Sequence, residues 1–125
     1  MRFNDDKPIY EQIADSLCAD AAAGRLSAGG RIPSARELAA SLEVNPNTAA
    51  RALQMLADRG VARMERGTGY FLADDGAGKA LAERRRRFFD SELPMLFSLM
   101  EDLGVGPELI AEKWAARNAA EEKHT

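Results

Sequence analysis

Cysteine and histidine each occur once in this 125-residue chain, as Cys18 and His124. A lone cysteine cannot close an internal disulfide, which fits a reducing compartment. Cys18 borders an apolar helical stripe, where a small buried hydrophobe is its plainest role. No cluster with metal-ligand spacing and no phosphate-binding loop motif is present. The expectation is therefore no catalytic residue, no metal, no cofactor and no enzyme. Apolar runs stay short of the ~20 residues that a membrane-spanning helix needs, so no membrane role is expected. The first residues, Met1-Arg2-Phe3-Asn4-Asp5-Asp6, are acidic and polar rather than basic and then apolar. No export signal is expected from them, and the expected location is the cytoplasm. An excess of positive charge is missing too: the total is −3.

The distribution of charge says more than the sum. Between Arg25 and Gly69 stand seven arginines (25, 31, 36, 51, 59, 63 and 66) against four acids (37, 43, 58 and 65), a local balance of +3. Exposed charges act over about one Debye length, ~8–10 Å, so a basic patch on an acidic protein can still bind phosphate.

Pro8 suits the first turn of a helix. Behind it Tyr10, Ile13, Ala14, Leu17 and Ala21 share one helical face, and Gly24 is a stop. Ala28-Gly29-Gly30 reads as a turn and Arg31-Ile32 as a scrap of strand. Ser34 with Glu37 three residues later forms a capping box, and Leu38, Ala39 and Leu42 supply the inner face of a second helix. Glu43-Val44 allows only a tight turn. Asn45 as N-cap and Pro46 at N1 open a third helix that Gly60 ends. At about 100° per residue, Ala49, Ala52, Leu53 and Leu56 gather opposite Asn47, Ala50, Arg51 and Gln54. Two short apolar runs, Val61–Glu65 and Tyr70–Ala73, flank the glycine-containing link Arg66-Gly67-Thr68-Gly69, a hairpin signal.

Helix, tight turn, helix and hairpin is the order of a winged helix-turn-helix. A recognition helix enters the major groove by its N-terminal end, so that end must carry hydrogen-bonding groups. Asparagine pairs with adenine edges, arginine with guanine, and threonine with bases or phosphate, while a short Ala50 lets the helix sit deep. The helix N-terminus also favours phosphate. Ser34 is a cap first and a phosphate contact second. Arg36 lies where the first helix of such a motif crosses the backbone, and Asn45 alone reads as a cap. The candidate DNA-binding set is Ser34, Arg36, Asn45, Asn47, Thr48, Arg51, Gln54, Arg66, Gly67 and Thr68. A winged helix used for protein interaction without DNA is the alternative.

These residues resemble the signature of the GntR family of bacterial transcription regulators. Gly24-Arg25-Leu26-Ser27-Ala28-Gly29-Gly30-Arg31-Ile32-Pro33-Ser34-Ala35-Arg36-Glu37-Leu38-Ala39 is followed by Val44 and Thr48, then by Gly67-Thr68-Gly69-Tyr70-Phe71. The likeness covers roughly residues 8–73. It implies that Ser34, Arg36, Asn45, Asn47, Thr48 and the wing tip at Arg66 to Thr68 contact DNA. Many members have Ser-Arg where this chain has Asn45-Pro46, and another arginine at Ala50. Asn-Pro-Asn-Thr resembles instead the YtrA and MocR branches. MocR chains append a large domain, so the short tail is similar to the YtrA type. That likeness implies a dimeric repressor, often encoded beside ABC transporters.

Asp74-Asp75-Gly76-Ala77-Gly78 reads as a linker, which divides the chain into a winged helix-turn-helix domain, 1–75, and a helical dimerisation region, 76–125. The expected class is mainly α with a small β-hairpin, followed by two or three helices. Lys79 to Glu92 is helical, and its Arg84-Arg85-Arg86-Arg87 run reads as a solvated, salt-bridged surface beside Glu83, Asp90 and Glu92. Pro94 kinks or restarts the helix. Leu93, Leu96, Phe97, Met100 and Leu103, with Ile110 and Trp114 from a last helix opened by Pro107, form the expected homodimer seam. Ala119 to Thr125 reads as a frayed tail. The expected partner is double-stranded DNA at a palindromic operator; no small-molecule effector is assigned.

Overall fold

The computed structural model describes residues 3, 4, 6–27 and 29–122. His124, part of Met1–Asp6 and Ala28 of the expected turn lie outside the described residues. The chain forms two compact units, residues 1–86 and 87–125, each described by itself below.

The first unit opens with α1 (Ile9–Ala22), α2 (Ala35–Leu42) and α3 (Pro46–Asp58), followed by β1 (Ala62–Glu65), β2 (Gly69–Leu72) and α4 (Gly76–Arg87). Pro8 caps α1 rather than lying inside its first turn, with its carbonyl accepting from the Glu11 and Gln12 amides at 3.1 and 3.3 Å. The strands pair antiparallel, Ala62 opposite Leu72 and Glu65 opposite Gly69, around the three-residue tip Arg66-Gly67-Thr68. Arg31 adds a third edge by pairing with Phe71, and Ile32 donates to the Tyr70 carbonyl at 2.8 Å. Arg31-Ile32 is thus the expected scrap of strand.

The core forms where these elements meet. Ile13 of α1, Ile32 of the edge, Leu53 and Leu56 of α3, and Val61 and Leu72 of the hairpin are fully buried. A buried leucine contributes about 1.5–3 kcal/mol, whereas a surface ion pair contributes about 0–1 kcal/mol. Apolar packing, not charge, therefore sets the pose of α3.

The turn between α2 and α3 stores strain. Glu43 has φ 56°, the left-handed region that disfavours any residue with a Cβ. The conformation persists because it satisfies the end of α2: the amides of Glu43 and Val44 both reach the Ala39 carbonyl, the latter at 3.1 Å.

Of the expected linker at 74–78, Asp74-Asp75 form a turn and Gly76-Ala77-Gly78 are the start of a packed helix. A Cβ on Gly76 would lie 2.3 Å from the Val61 carbonyl oxygen and 2.8 Å from Leu72 Cδ1. Ala80, one turn later, is fully buried. Glycine here serves close approach rather than flexibility, and the compact unit continues past residue 75 to Arg86.

The second unit holds a π-helical turn (Phe88–Glu92), α5 (Leu93–Leu103) and α6 (Pro107–Glu122). Pro94 falls in the first turn of α5, and the chain leading into it stays helical: Arg87, Glu92 and Leu93 all keep right-handed helical angles. The widened turn accommodates a residue that lacks an N–H and crowds the preceding carbonyl. Gly104, at φ 67°, closes α5 with Val105 donating to Met100 O at 2.9 Å. α6 runs unbroken through Ala119 to Glu122, so the expected fraying does not begin at Ala119. Lys123–Thr125 lie outside the described residues.

Two substitutions test these backbone features by thermal unfolding. Glu43→Gly is expected to stabilise the protein by about 1 kcal/mol by relieving the left-handed strain. Gly76→Ala is expected to destabilise it by about 1–3 kcal/mol through overpacking against Val61.

Candidate nucleic-acid interface

The N-terminus of α2 is assembled from local hydrogen bonds. Ser34 Oγ accepts from the Glu37 amide at 3.1 Å. Arg31 donates to the Glu37 carboxylate at 3.2 Å, and this bond, with help from the Ser34 hydroxyl, holds Glu37 below the ordinary carboxylate range. Ser34 is half-buried in its capping role, and Arg36 beside it is exposed.

At the start of α3, Asn45 Oδ1 accepts from the Asn47 amide at 2.8 Å. Pro46 occupies the first turn, where its missing N–H costs nothing. Ala49, Ala52, Leu53 and Leu56 face the core without exposure. Asn47, Ala50, Arg51 and Gln54 are exposed, and Thr48 is half-buried. The helical wheel drawn from sequence is therefore the observed partition.

The exposed stripe is more structured than the sequence suggests. Arg51 Cζ lies 4.1 Å from the centroid of the Tyr10 ring on α1. Gln54 Nε2 donates to Asp58 Oδ1 at 3.0 Å, and its Oε1 accepts from the Tyr70 hydroxyl at 3.4 Å. Gln54 thus has internal partners at both ends of its amide and ties α3 to β2. A cleft of about 240 Å³ lies among Tyr10, Arg51, Gln54, Met55 and Asp58. From sequence alone Tyr10 belongs to the apolar stripe of α1, and Tyr70 and Asp58 have no part in the site. A tyrosine at the exposed end of such a stripe was the available signal.

Arg66, Gly67 and Thr68 are exposed at the hairpin tip. Gly67 has φ 77°, which turns the tip, and nothing stands within 4 Å of where its Cβ would be. Bare backbone and a guanidinium thus share one open loop.

Charge divides the arginines sharply. Arg25 pairs with Asp20 at 2.8 Å, Arg31 with Glu37 at 3.2 Å, Arg59 with Asp15 at 3.1 Å, and Arg63 with Glu65. Among the described residues no carboxylate pairs with Arg36, Arg51 or Arg66. Uncancelled positive charge therefore sits at the first turn of α2, on the outer face of α3 and at the wing tip. No group of three or more His, Cys, Asp or Glu side chains among the described residues could hold a metal ion. Nor is any helix among them long and apolar enough to cross a membrane.

Comparison with known proteins gives this geometry a family. Residues 9–72 match the pattern described as "Bacterial regulatory proteins, gntR family". The chain is 32% identical over 111 residues to the HTH-type transcriptional regulator YhcF of Bacillus subtilis, covering 89% of this chain and 90% of that protein. It is 31% identical over 116 residues to the HTH-type transcriptional repressor YtrA of the same organism, covering 93% and 88%. A GntR family transcriptional regulator from Listeria monocytogenes superposes with a TM-score of 0.72 at 33% identity, covering 92% of this chain and 98% of that one. With the signature, the winged fold and the relatives in agreement, the chain belongs to the GntR family of bacterial DNA-binding transcriptional regulators and is not an enzyme.

Proposed function

We propose that the protein is a dimeric, cytoplasmic repressor that reads a palindromic operator with two copies of α3. The observation that carries this reading is the division of the arginines. Of the seven arginines between Arg25 and Gly69, the three that lack a carboxylate partner among the described residues, Arg36, Arg51 and Arg66, fall at the three places where a winged helix meets a duplex. Asn47 and Thr48 supply base- or phosphate-directed groups at the leading end of α3, with Ala50 allowing close approach. Arg66, Gly67 and Thr68 offer a cation and open backbone to a phosphate or the minor groove. The sequence likeness to YtrA, a repressor by its name, favours repression by occupying a promoter.

The case for a dimer rests on the second unit. Among its described residues none is buried, and Phe97, Leu103 and Trp114 are 51%, 67% and 64% exposed. Leu96 and Ile110 are exposed as well, and Leu93 and Met100 are half-buried. Exposed apolar side chains on both helices favour a second copy as their cover. Two symmetric recognition helices then call for half-sites about one helical turn apart, 10–10.5 bp, or a multiple of it.

Two measurements test the proposal. In titrations of a labelled operator duplex, Asn47→Ala is expected to cost about 1–3 kcal/mol, and Arg36→Ala to reduce the salt slope by about 1. Both variants should keep the wild-type melting temperature. Unchanged binding by both would favour a protein-interaction module. In sedimentation at micromolar concentration, the intact chain is expected as a dimer and Phe97→Asp as a monomer. A wild-type monomer would end the dimer reading.

A further inference from the structure

We propose that Tyr10 is a positioning residue that sets base preference by fixing the plane of the Arg51 guanidinium. The inference deepens the proposed function and rests on α3 being the DNA reader.

An arginine on an exposed helix face samples many rotamers, and ordering it on binding is costly. Arg51 is exempt from much of that cost, because its guanidinium already lies 4.1 Å from the centroid of the Tyr10 ring. With Cζ over the ring, a stacked guanidinium would have one face covered and its edge, where the N–H donors form a planar fork, left open. A fork held in one plane can pair bidentately with the two acceptors on a guanine edge, whereas a mobile cation is drawn to any phosphate. The stack therefore bears on specificity more than on charge.

The surroundings preserve this arrangement from both sides. Asp58 lines the same cleft, yet its carboxylate accepts from Gln54 Nε2 at 3.0 Å, and no ion pair forms with Arg51 among the described residues. Tyr10 lies in the first turn of α1, where helices fray. That end is fastened by the buried Gln12 side chain, which accepts from Asn4 N at 3.0 Å and donates to the carbonyls of Asn4 and Lys7 at 2.8 and 2.7 Å. Asp15 then takes Lys7 at 2.6 Å and Arg59 at 3.1 Å, which ties α1 to α3 two turns beyond Arg51.

The test compares Tyr10→Leu, Tyr10→Phe, Arg51→Ala and the Tyr10→Leu/Arg51→Ala double variant. Each intact protein is titrated against a selected operator and against every single-base-pair change in one half-site. Arg51→Ala is expected to lose about tenfold discrimination at one base pair. Tyr10→Leu should lose several-fold discrimination at that same pair, the double variant no more than Arg51→Ala alone, and Tyr10→Phe almost none. Melting curves check folding, and Tyr10→Met replaces Tyr10→Leu if the latter does not fold. Equal loss at every base pair, or losses that multiply in the double variant, would reduce Tyr10 to a structural tie and overturn the proposal. So would an unchanged base preference in Arg51→Ala, even while the Arg36 and Asn47 variants still lose DNA and uphold the wider reading.

Discussion

The structure depends most on the burial of one face of α3. Ala49, Ala52, Leu53 and Leu56 are without exposure, packed under α1, α2 and the hairpin. Small side chains at two of these positions let the neighbouring backbones come close, and the two leucines supply the apolar area. Once that face is fixed, helical geometry leaves the opposite face no choice but to look outward. Asn47, Ala50, Arg51 and Gln54 are presented to solvent because their neighbours are not. Surface ion pairs, each contributing about 0–1 kcal/mol, could not enforce such an orientation.

Charge placement follows a second rule. Acids stand beside Arg25, Arg31, Arg59 and Arg63, whose tasks are internal: ending α1, holding the edge of the sheet, joining α1 to α3, and steadying β1. At Arg36, Arg51 and Arg66, the proposed points of contact with a duplex, no acid is paired among the described residues. An overall charge of −3 is thus compatible with DNA binding, because what the duplex meets is a local surface.

Features written in adjacent residues were legible beforehand. The Ser34 and Asn45 caps, the tight turn at Glu43-Val44 and the apolar spacing of α3 all depend on partners within one or two helical turns, and each was readable as such. What escaped depends on partners brought together by the fold. Gly76 reads as a linker glycine until the Val61 carbonyl is found pressed against it. Tyr10 reads as core until Arg51 is found over its ring, and Gln54 reads as a free amide until Tyr70 and Asp58 claim it. Pro94 announces a disturbance, but its resolution as a π-helical turn lies in the backbone before it. The exposed face of α3 was therefore readable as a set of residues, and its supports were not.

The central claim is that the exposed face of α3 reads a specific duplex as one of a symmetric pair. Selection of bound sequences from a random pool of duplexes, using the intact protein at low ionic strength, addresses it most directly. The expected result is a single enriched motif with two-fold symmetry and half-sites about one helical turn, or a multiple of it, apart. Enrichment of no duplex at all would contradict it.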